Sequence, residues 1–548
     1  MADFRKLFPA MAGVALMFGA ASSAFAQQQV QAFSCVGNAG VPPIVRAEGI
    51  TELVGDLVLN CNGGIPTAAG APVPQTNVQI FLNTNVTSRL TNPDDSSWSE
   101  ALLMIDEPGP GAQRYCSRNG GCSINGVGHT AGSDNLVDGV DYDQSTASGG
   151  VVPNVFQARG SGANSLLWTG VPIDPPGTSA TRIIRITNVR ANANQLGVSS
   201  TLIPTQIVMF ISATGTTSVP INNPQQVVAF IQPGLSFSLR QVKTNYLQCV
   251  SWNRDASTSN TSNAIGTNQG SGPAAGTAVR FSEGFASSFK RRNLALPSDH
   301  PNADTSAVPV AQNTPGAIYN TESGFYDPLA LTKLAPISPG GALSAGNGLD
   351  KAGLADHGTR LMARFNNIPA GVAVYVSTYT VTTTGDGCSG LPCINGRRLA
   401  NTATASAGRL VTTDASGGGA FSRVSPTNNA VNTIGVNVNG GSEGTTIPLA
   451  PIALSNGSGM AVWEVMDSDP LTSQTYEFAV AAAFTANTSN NLPGLGTATV
   501  SGSFAPLSTV TTASTSAPVP RFADTSVART MWNISACTTN LLFQFLTN

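Results

Sequence analysis

The chain has 548 residues and a net charge of −3, a length that is sufficient for two to four domains of ordinary size. Only 10% of the residues are charged, against roughly 25% in an average soluble protein. This balance excludes nucleic-acid binding by phosphate neutralisation, because that mode of binding needs clustered cations.

Residues 1–26 have the three parts of a secretory signal peptide. Arg5 and Lys6 form a short cationic start, an apolar run follows over 11–21, and Ala24–Ala26 places small residues at a cleavage site. The apolar run is too short to span a bilayer, and no later stretch approaches the roughly 20 apolar residues of a spanning helix. We therefore expect an exported protein, secreted or bound at the cell surface, with no transmembrane segment in the mature chain.

All eight cysteines lie in the mature part, and an even number in an exported chain indicates disulfide bonds. Zinc binding is the competing interpretation, but zinc sites prefer shorter spacings arranged in two halves. The expected pairs are Cys116–Cys122 and Cys388–Cys393 by proximity, Cys35–Cys61 as a reasonable third pair, and Cys249–Cys537 by elimination.

The segments that look structured are short, rich in β-branched and aromatic residues, and bounded by Gly, Pro, Asn and Ser. Their period-2 alternation predicts strands, and many strands without helical stripes predict an all-β fold of tandem β-sandwich modules, immunoglobulin-like or jelly-roll-like, with long loops and small disulfide loops. Glu283–Arg292 is the best short helix candidate and could equally be an irregular turn. The clearest strand segments are Asn77–Val86, Arg182–Val189, Gln206–Ser212, Gly371–Val381 and Thr475–Phe484.

Weakly similar segments that recur in the same order along the chain indicate two copies of one module. Pro74–Val86 resembles Pro369–Val381, and Val45–Gly49 resembles Val279–Gly284. The expected division is a signal peptide at 1–26, a first sandwich module at 27–247, a loop-rich insertion or start of the second module at 248–358, and a second sandwich module at 359–533. Residues 534–548 are either a final strand or the start of a truncated third module.

One acidic cluster could hold calcium, a cation that takes six to eight oxygen ligands and often staples loops of extracellular β proteins. The spacing fits no familiar calcium loop, and a solvated acidic loop explains it more simply. Any such ion would be structural, and we expect no other cofactor. The cluster consists of Asp134, Asp138, Asp141 and Asp143.

Other candidate chemistry is weak. His129, His300 and His357 stand far apart among loop-forming neighbours, so each is expected to be a solvated loop residue. The serine motif Gly440–Gly444 lacks the strand–turn–helix context that makes such a serine a nucleophile. We expect Lys290–Arg292 to form a solvated turn. Trp463 lies beside Glu464, which would suit a sugar site, although a strand ending in a polar turn is the simpler interpretation.

Residues Cys35–Val86 and the segment Cys537–Phe543 resemble a group of secreted, β-rich, cysteine-containing proteins from environmental bacteria. The resemblance implies no activity, and it transfers no catalytic residue to this chain. In proteins of this group the segment that begins at Cys537 continues into further sequence, which favours the truncated-module interpretation.

These observations predict a non-enzymatic structural or adhesive protein whose partners are other copies of itself or other cell-surface molecules. A surface with little charge does not oppose self-association, so assembly by strand addition at open sheet edges is expected. The candidate donor strands are Gln27–Phe33 and Leu541–Leu546. The alternatives are a secreted carbohydrate-binding protein or hydrolase with its site on the long loops, and a periplasmic subunit of an envelope complex.

Overall fold

A computed structural model describes the chain in segments separated by gaps. The described residues are 32–91, 95, 97–116, 121–127, 140–142, 152–199, 203–215, 219–240, 245–249, 277–292, 314–317, 319–325, 353–380, 393–394, 397–398, 408–424, 433–435, 446–466, 468–484 and 492–537.

The first set of strands lies before Pro233. These strands are β1 (Ser34–Asn38), β2 (Ile44–Arg46), β3 (Glu52–Leu53), β4 (Leu57–Gly63), β5 (Gln75–Leu82), β6 (Trp98–Ile105), β7 (Val155–Gly160), β8 (Ser165–Pro172), β9 (Gly177–Thr187), β10 (Arg190–Ala191), β11 (Thr205–Gly215), β12 (Ile221–Asn222) and β13 (Gln225–Gln232).

Eleven of these strands form one sheet that folds over on itself to make the first sandwich. Their order is β12-β1-β4-β9-β6-β7-β8-β5-β11-β13-β2. The described register joins β7 and β8 at only two residue pairs, Arg159 with Leu167 and Gly160 with Leu166. Strands β3 and β10 form a separate two-stranded ladder.

The first core follows from the alternation that the sequence shows. Along β5 every second side chain is buried, so Val78 and Ile80 point inward while Gln79 and Phe81 are half-exposed. Inward side chains from both halves of the folded sheet, including Leu59 of β4, meet in one hydrophobic cluster. Burial of these side chains is the main force that closes the sandwich.

The second set of strands follows Pro233. These strands are β14 (Leu235–Arg240), β15 (Asn245–Leu247), β16 (Thr277–Glu283), β17 (Arg360–Asn366), β18 (Ala373–Ser377), β19 (Cys393–Ile394), β20 (Arg397–Arg398), β21 (Gly408–Val411), β22 (Thr433–Gly435), β23 (Thr446–Pro451), β24 (Gly459–Val465), β25 (Thr475–Ala483), β26 (Gly496–Ala505) and β27 (Arg529–Ser535).

Two six-stranded sheets make the second sandwich, and β19 and β20 form a small ladder of their own. The orders of the large sheets are β14-β16-β25-β18-β23-β22 and β15-β27-β26-β17-β24-β21. Both sheets contribute to a second core that is rich in aromatic rings. Trp463 of β24 stacks on Phe478 of β25 with ring centroids 4.1 Å apart, so the two sheets are in direct contact through these side chains.

The all-β prediction is confirmed, with no helix in the described part of the chain. Glu283–Arg292 begins at the last residue of β16 and continues as a turn. The change from the first set of strands to the second falls at Pro233 and Gly234, before the module boundary expected at residue 247. The echoed segments are paired differently, because β2 is parallel to β13 whereas β16 is antiparallel to β14 and β25.

Part of the expected loop-rich stretch 248–358 is a well-packed strap across the first sandwich. We use "the strap" for residues 319–325 and 353–358. Phe325 is buried against Leu102 and Met104 of β6, which explains why every residue of β6 is buried. Asn188 of the first sandwich donates to the Phe325 carbonyl oxygen at 2.7 Å. The strap therefore supplies a second layer over β6.

Candidate functional site

Three of the four expected disulfides lie within the described residues. The structure joins Cys35 to Cys61, Cys116 to Cys122 and Cys249 to Cys537. Cys35 and Cys61 are direct neighbours in the β1–β4 ladder. The disulfide at Cys537 closes the parallel pairing of β15 with β27. The expected Cys388–Cys393 pair lies outside the residues whose side chains are described.

The expected calcium cluster is mostly outside the described residues, which include Asp141 but not Asp134, Asp138 or Asp143. The calcium site therefore stays a prediction. Across the described segments, no group of three or more His, Cys, Asp or Glu side chains has the arrangement of a metal site.

His129, His300 and the serine motif Gly440–Gly444 also lie outside the described residues. His357 is described, and the expectation that it is a solvated loop residue is wrong. Its side chain is buried in the strap, and its Nδ1 lies 2.8 Å from the Gly358 carbonyl oxygen.

The expectation for Lys290 is wrong, because its side chain is buried near the strap and not in a solvated turn. Glu464 lies near the end of β24, in agreement with the strand interpretation, and forms a buried ion pair with Arg360 at 3.0 Å. The neighbouring Trp463 belongs to the second core and donates its indole N–H to the Ser377 carbonyl oxygen at 2.8 Å. These residues hold the structure together and do not form an exposed sugar site.

Arg46 is the centre of a buried ion-pair network where the two sandwiches meet. Its guanidinium, on β2, lies 2.8 Å from Glu52 and 2.7 Å from Glu322 of the strap. It also donates to the Thr359 hydroxyl at 3.0 Å and lies 4.7 Å from the ring centroid of Phe522, which belongs to the second core. One side chain therefore binds three parts of the chain to one another.

A second buried ion pair fastens the strap to the first sandwich. Arg190 donates from Nε to Glu100 at 2.9 Å. The other carboxylate oxygen of Glu100 accepts from the backbone N–H of Gly353 at 2.9 Å. Arg190 also donates to the Glu322 carbonyl oxygen at 3.0 Å. The charges of the first sandwich thus satisfy backbone groups of the strap that water cannot reach.

The link between the sandwiches is short and held on both sides. The backbone N–H of Gly234 donates to Glu48 at 2.9 Å, and its carbonyl oxygen accepts from Gly284 N–H at 2.9 Å and from the Ser288 hydroxyl at 2.8 Å. A Cβ atom added at Gly284 would lie 1.9 Å from the Pro233 carbonyl oxygen. The approach is possible only because residue 284 has no side chain.

Burial and neighbouring charges determine the protonation of the network. Burial lowers the pKa of Arg46, but the charges of Glu322 and Glu52 outweigh burial and the net direction is upward. Burial would raise the pKa of Glu322, and the Arg46 charge outweighs it, so this carboxyl stays ionised. Burial, followed by the Arg360 charge, lowers the pKa of His357 to about 3, which keeps this imidazole neutral.

Sequence reasoning does not identify Arg46, Glu52 or Glu322 as a connected group. The available signal is that the first two stand between apolar residues in the stretch 44–59, which carries four charged residues in a chain with few charges. A charge in such a stretch indicates a buried partner. The partner Glu322 is far away in sequence, so the pairing becomes visible only in three dimensions.

A different surface of the first sandwich combines exposed aromatic rings with uncharged polar groups. The adjacent strands β8, β5, β11 and β13 contain no charged residue and no histidine. Phe210 of β11 is 43% exposed and lies beside Phe81 of β5, with ring centroids 6.4 Å apart. In the register of the two strands, Ser212 lies opposite Gln79. We call the outward side of these four strands the neutral face.

The second sandwich has an open groove of about 560 Å³ between β21, β24 and the turn that precedes β24. Its described lining is mainly apolar and includes one charged residue, Arg364. Arg364 already pairs with Asp524 at 2.6 Å. The described lining therefore supplies no pair of carboxylates for glycoside hydrolysis, which needs two.

No protein-family model and no curated protein matches this sequence. In the structural comparison, the C-terminal domain of the Streptococcus agalactiae AgI/II polypeptide BspA aligns with a TM-score of 0.20 and 8% identity, over 86% of this chain and 94% of that chain. The BSP domain of a biofilm-associated protein aligns with a TM-score of 0.15 and 6% identity, over 90% of this chain and 58% of that chain. At these TM-scores neither likeness carries an argument about function. No helix in the described residues is long and apolar enough to cross a membrane.

Proposed function

We propose that this chain is an exported structural or adhesive protein of the cell surface or extracellular space, and that it associates with itself or with other surface molecules. The observation that carries the proposal is the buried junction around Arg46, which joins two sandwiches and a strap into one unit. Interfaces between domains of one chain are usually polar and mobile. A junction with buried ion pairs is suited to holding two modules in a fixed relation.

The disulfides agree with this role, because small exported domains use them to limit unfolding. The low share of charged residues agrees with it as well, since neutral polar surfaces do not repel one another. Location outside the cell rests on the signal peptide that the sequence predicts at 1–26.

Association by strand addition needs an open edge, and β14 is an end strand of its sheet. Leu235 and Phe237 of β14 pack toward the second core, so an added strand would extend an existing hydrophobic layer. Of the two candidate donor segments, Leu541–Leu546 lies outside the described residues. Gln27–Phe33 is described only at its end, where Phe33 packs against the first core.

The test is light scattering with negative-stain microscopy on the mature chain, with and without calcium. We expect ordered assemblies that are lost when both donor segments are deleted. Ser238→Lys, which adds a charge to the β14 edge, should also suppress assembly. Ala69→Lys, in an exposed loop, is the matched control and should assemble normally. A wild-type chain that stays monomeric at all concentrations, with and without calcium, contradicts self-assembly. Assembly that survives both deletions contradicts strand addition by these segments.

A further inference from the structure

We propose that the neutral face of the first sandwich is a binding surface for an uncharged polysaccharide. This inference extends the adhesive part of the proposed function and rests on it. It names a location in the fold and a class of partner. The location is a sheet face, which differs from the long loops where the sequence alone would place a carbohydrate site.

The strands β8, β5, β11 and β13 are adjacent in the sheet and carry no charged side chain. A polyanion such as nucleic acid or an acidic polysaccharide would find no cation on these strands to neutralise its charge. The chemistry of the strands therefore matches an uncharged partner.

Phe210 and Phe81 form an aromatic pair on the neutral face. Phe210 is 43% exposed, so a large part of this apolar side chain stays in water at a cost in hydration free energy. The neighbouring Phe81 ring is tilted by 44° relative to Phe210, so the two rings form a short apolar platform. The C–H groups of a sugar ring pack against such a platform in the same way as other apolar groups.

Polar side chains lie near the two rings. In register, Ser212 lies opposite Gln79, and Phe210 itself lies opposite Gln225 on the next strand. Amide and hydroxyl groups both donate and accept hydrogen bonds, which suits the closely spaced hydroxyls of a polysaccharide. Neighbouring strands lie about 4.8 Å apart, a distance comparable with the length of one sugar ring. An extended chain laid across the strands would thus meet one polar or aromatic side chain per sugar.

A second copy of this chain is the main competing occupant. Two sheets that pack face to face bury mainly apolar side chains, whereas this face carries glutamine and serine as well as its rings and the half-buried Val208 and Val227. Burying those polar groups against another sheet without hydrogen-bond partners would cost free energy. A hydroxyl-rich partner avoids that cost, and for this reason we favour a polysaccharide.

The experiment is co-sedimentation of the mature chain with insoluble cellulose, insoluble β-1,3-glucan and chitin, with soluble polygalacturonate as a charged competitor. We expect saturable binding to at least one neutral polysaccharide and no competition by polygalacturonate. Phe210→Leu keeps an apolar side chain but removes the ring, and it should weaken binding about tenfold. Phe210→Tyr keeps the ring and should bind within about twofold of the wild type.

Leu471→Ser is the matched control for general stickiness, because Leu471 is strongly exposed but lies away from the neutral face in the turn before β25. This variant should bind like the wild type. Thermal unfolding of each variant shows that the chain is folded. Absence of binding to all three polysaccharides, or binding that Phe210→Leu leaves unchanged, overturns the inference. Self-association of the wild type that Phe210→Leu abolishes would also overturn it, since the face would then belong to a second copy. In the first two cases the assembly test at the sheet edges still decides the proposed function separately.

Discussion

At the scale of single residues, charged side chains are rare in this protein, and the buried ones depend on close partners of opposite charge. Removing Arg46 from water costs several kcal/mol, and only close partners offset that cost. Glu52 and Glu322 supply those partners from two distant parts of the chain. The ion pairs therefore add less to the net free energy of folding than their short distances suggest. They disfavour other arrangements of the sandwiches and the strap, because those arrangements would leave buried charges without partners.

Replacement of Arg46 is expected to destabilise the fold strongly. In Arg46→Met, Glu52 and Glu322 remain buried without their cation, and such a loss typically costs about 3–5 kcal/mol. The surface pair of Arg364 with Asp524 is 33% and 43% exposed, so the control Arg364→Met should cost about 0–1 kcal/mol. Urea unfolding followed by circular dichroism measures both. Equal costs in the two variants would show that the junction does not depend on the Arg46 network.

His357 is expected to make the fold sensitive to acid. Its ordinary pKa is 6.5, and burial followed by the Arg360 charge lowers it to about 3 in the folded chain. Between these values the unfolded chain binds a proton that the folded chain does not, so stability falls as the pH falls from 6.5 toward 3. The contribution of this one group is at most about 1.4 kcal/mol per pH unit.

The variant His357→Gln removes this titration. The difference in unfolding free energy between pH 7 and pH 4 should therefore be smaller in His357→Gln than in the wild type, whatever the cost of the substitution at pH 7. Urea unfolding at the two pH values measures that difference. An unchanged difference would mean that His357 is protonated in the folded chain at pH 4 or is equally buried after unfolding.

At the scale of elements, alternation predicts strands well where one face meets the core. The expected strand Gln206–Ser212 lies inside β11, and Thr475–Phe484 matches β25 closely. Alternation does not predict the strand β6, because both of its faces are buried and its side chains do not alternate. The order of the strap cannot be predicted from local sequence either. Its packing partners are on β6 and around Arg46, so nothing local in its sequence predicts order.

Gly284 tests the link between the sandwiches. Gly284→Ala places a methyl group against the Pro233 carbonyl oxygen, and the backbone must move to accept it, so we expect a loss of about 1–3 kcal/mol. Gly109 has open space around it, and Gly109→Ala should change stability by less than about 1 kcal/mol. Thermal unfolding compares the two variants. A neutral Gly284→Ala would indicate that the link is loose in solution.

At the scale of the whole molecule, the signal peptide and the alternation of the strand segments predict an exported, all-β chain, and the described fold is indeed all-β. The neutral face could not be predicted, because it depends on the order β8-β5-β11-β13, which brings together strands from separate parts of the sequence. The junction depends in the same way on the fold, since Arg46 and Glu322 meet only after both sandwiches and the strap have formed.

The positions of two disulfides determine how the molecule responds to a pulling force. A pull on the chain before Cys35 passes through the Cys35–Cys61 bond, and a pull after Cys537 passes through the bond to Cys249. Residues 250–536 are thus bypassed, and tension reaches only the chain between Cys61 and Cys249.

Stretching with an atomic force microscope, with handles before Ser34 and after Cys537, should extend that segment alone. A reducing agent should add the 288-residue separation of the Cys249–Cys537 bond, the 26-residue separation of the Cys35–Cys61 bond and the 6-residue separation of the Cys116–Cys122 bond. Together these are about 110 nm of contour length at about 3.4 Å per residue. The same extension with and without reductant would contradict this path. In a surface protein under shear, the tension would fall on the first sandwich, which carries the neutral face, and would bypass most of the second sandwich.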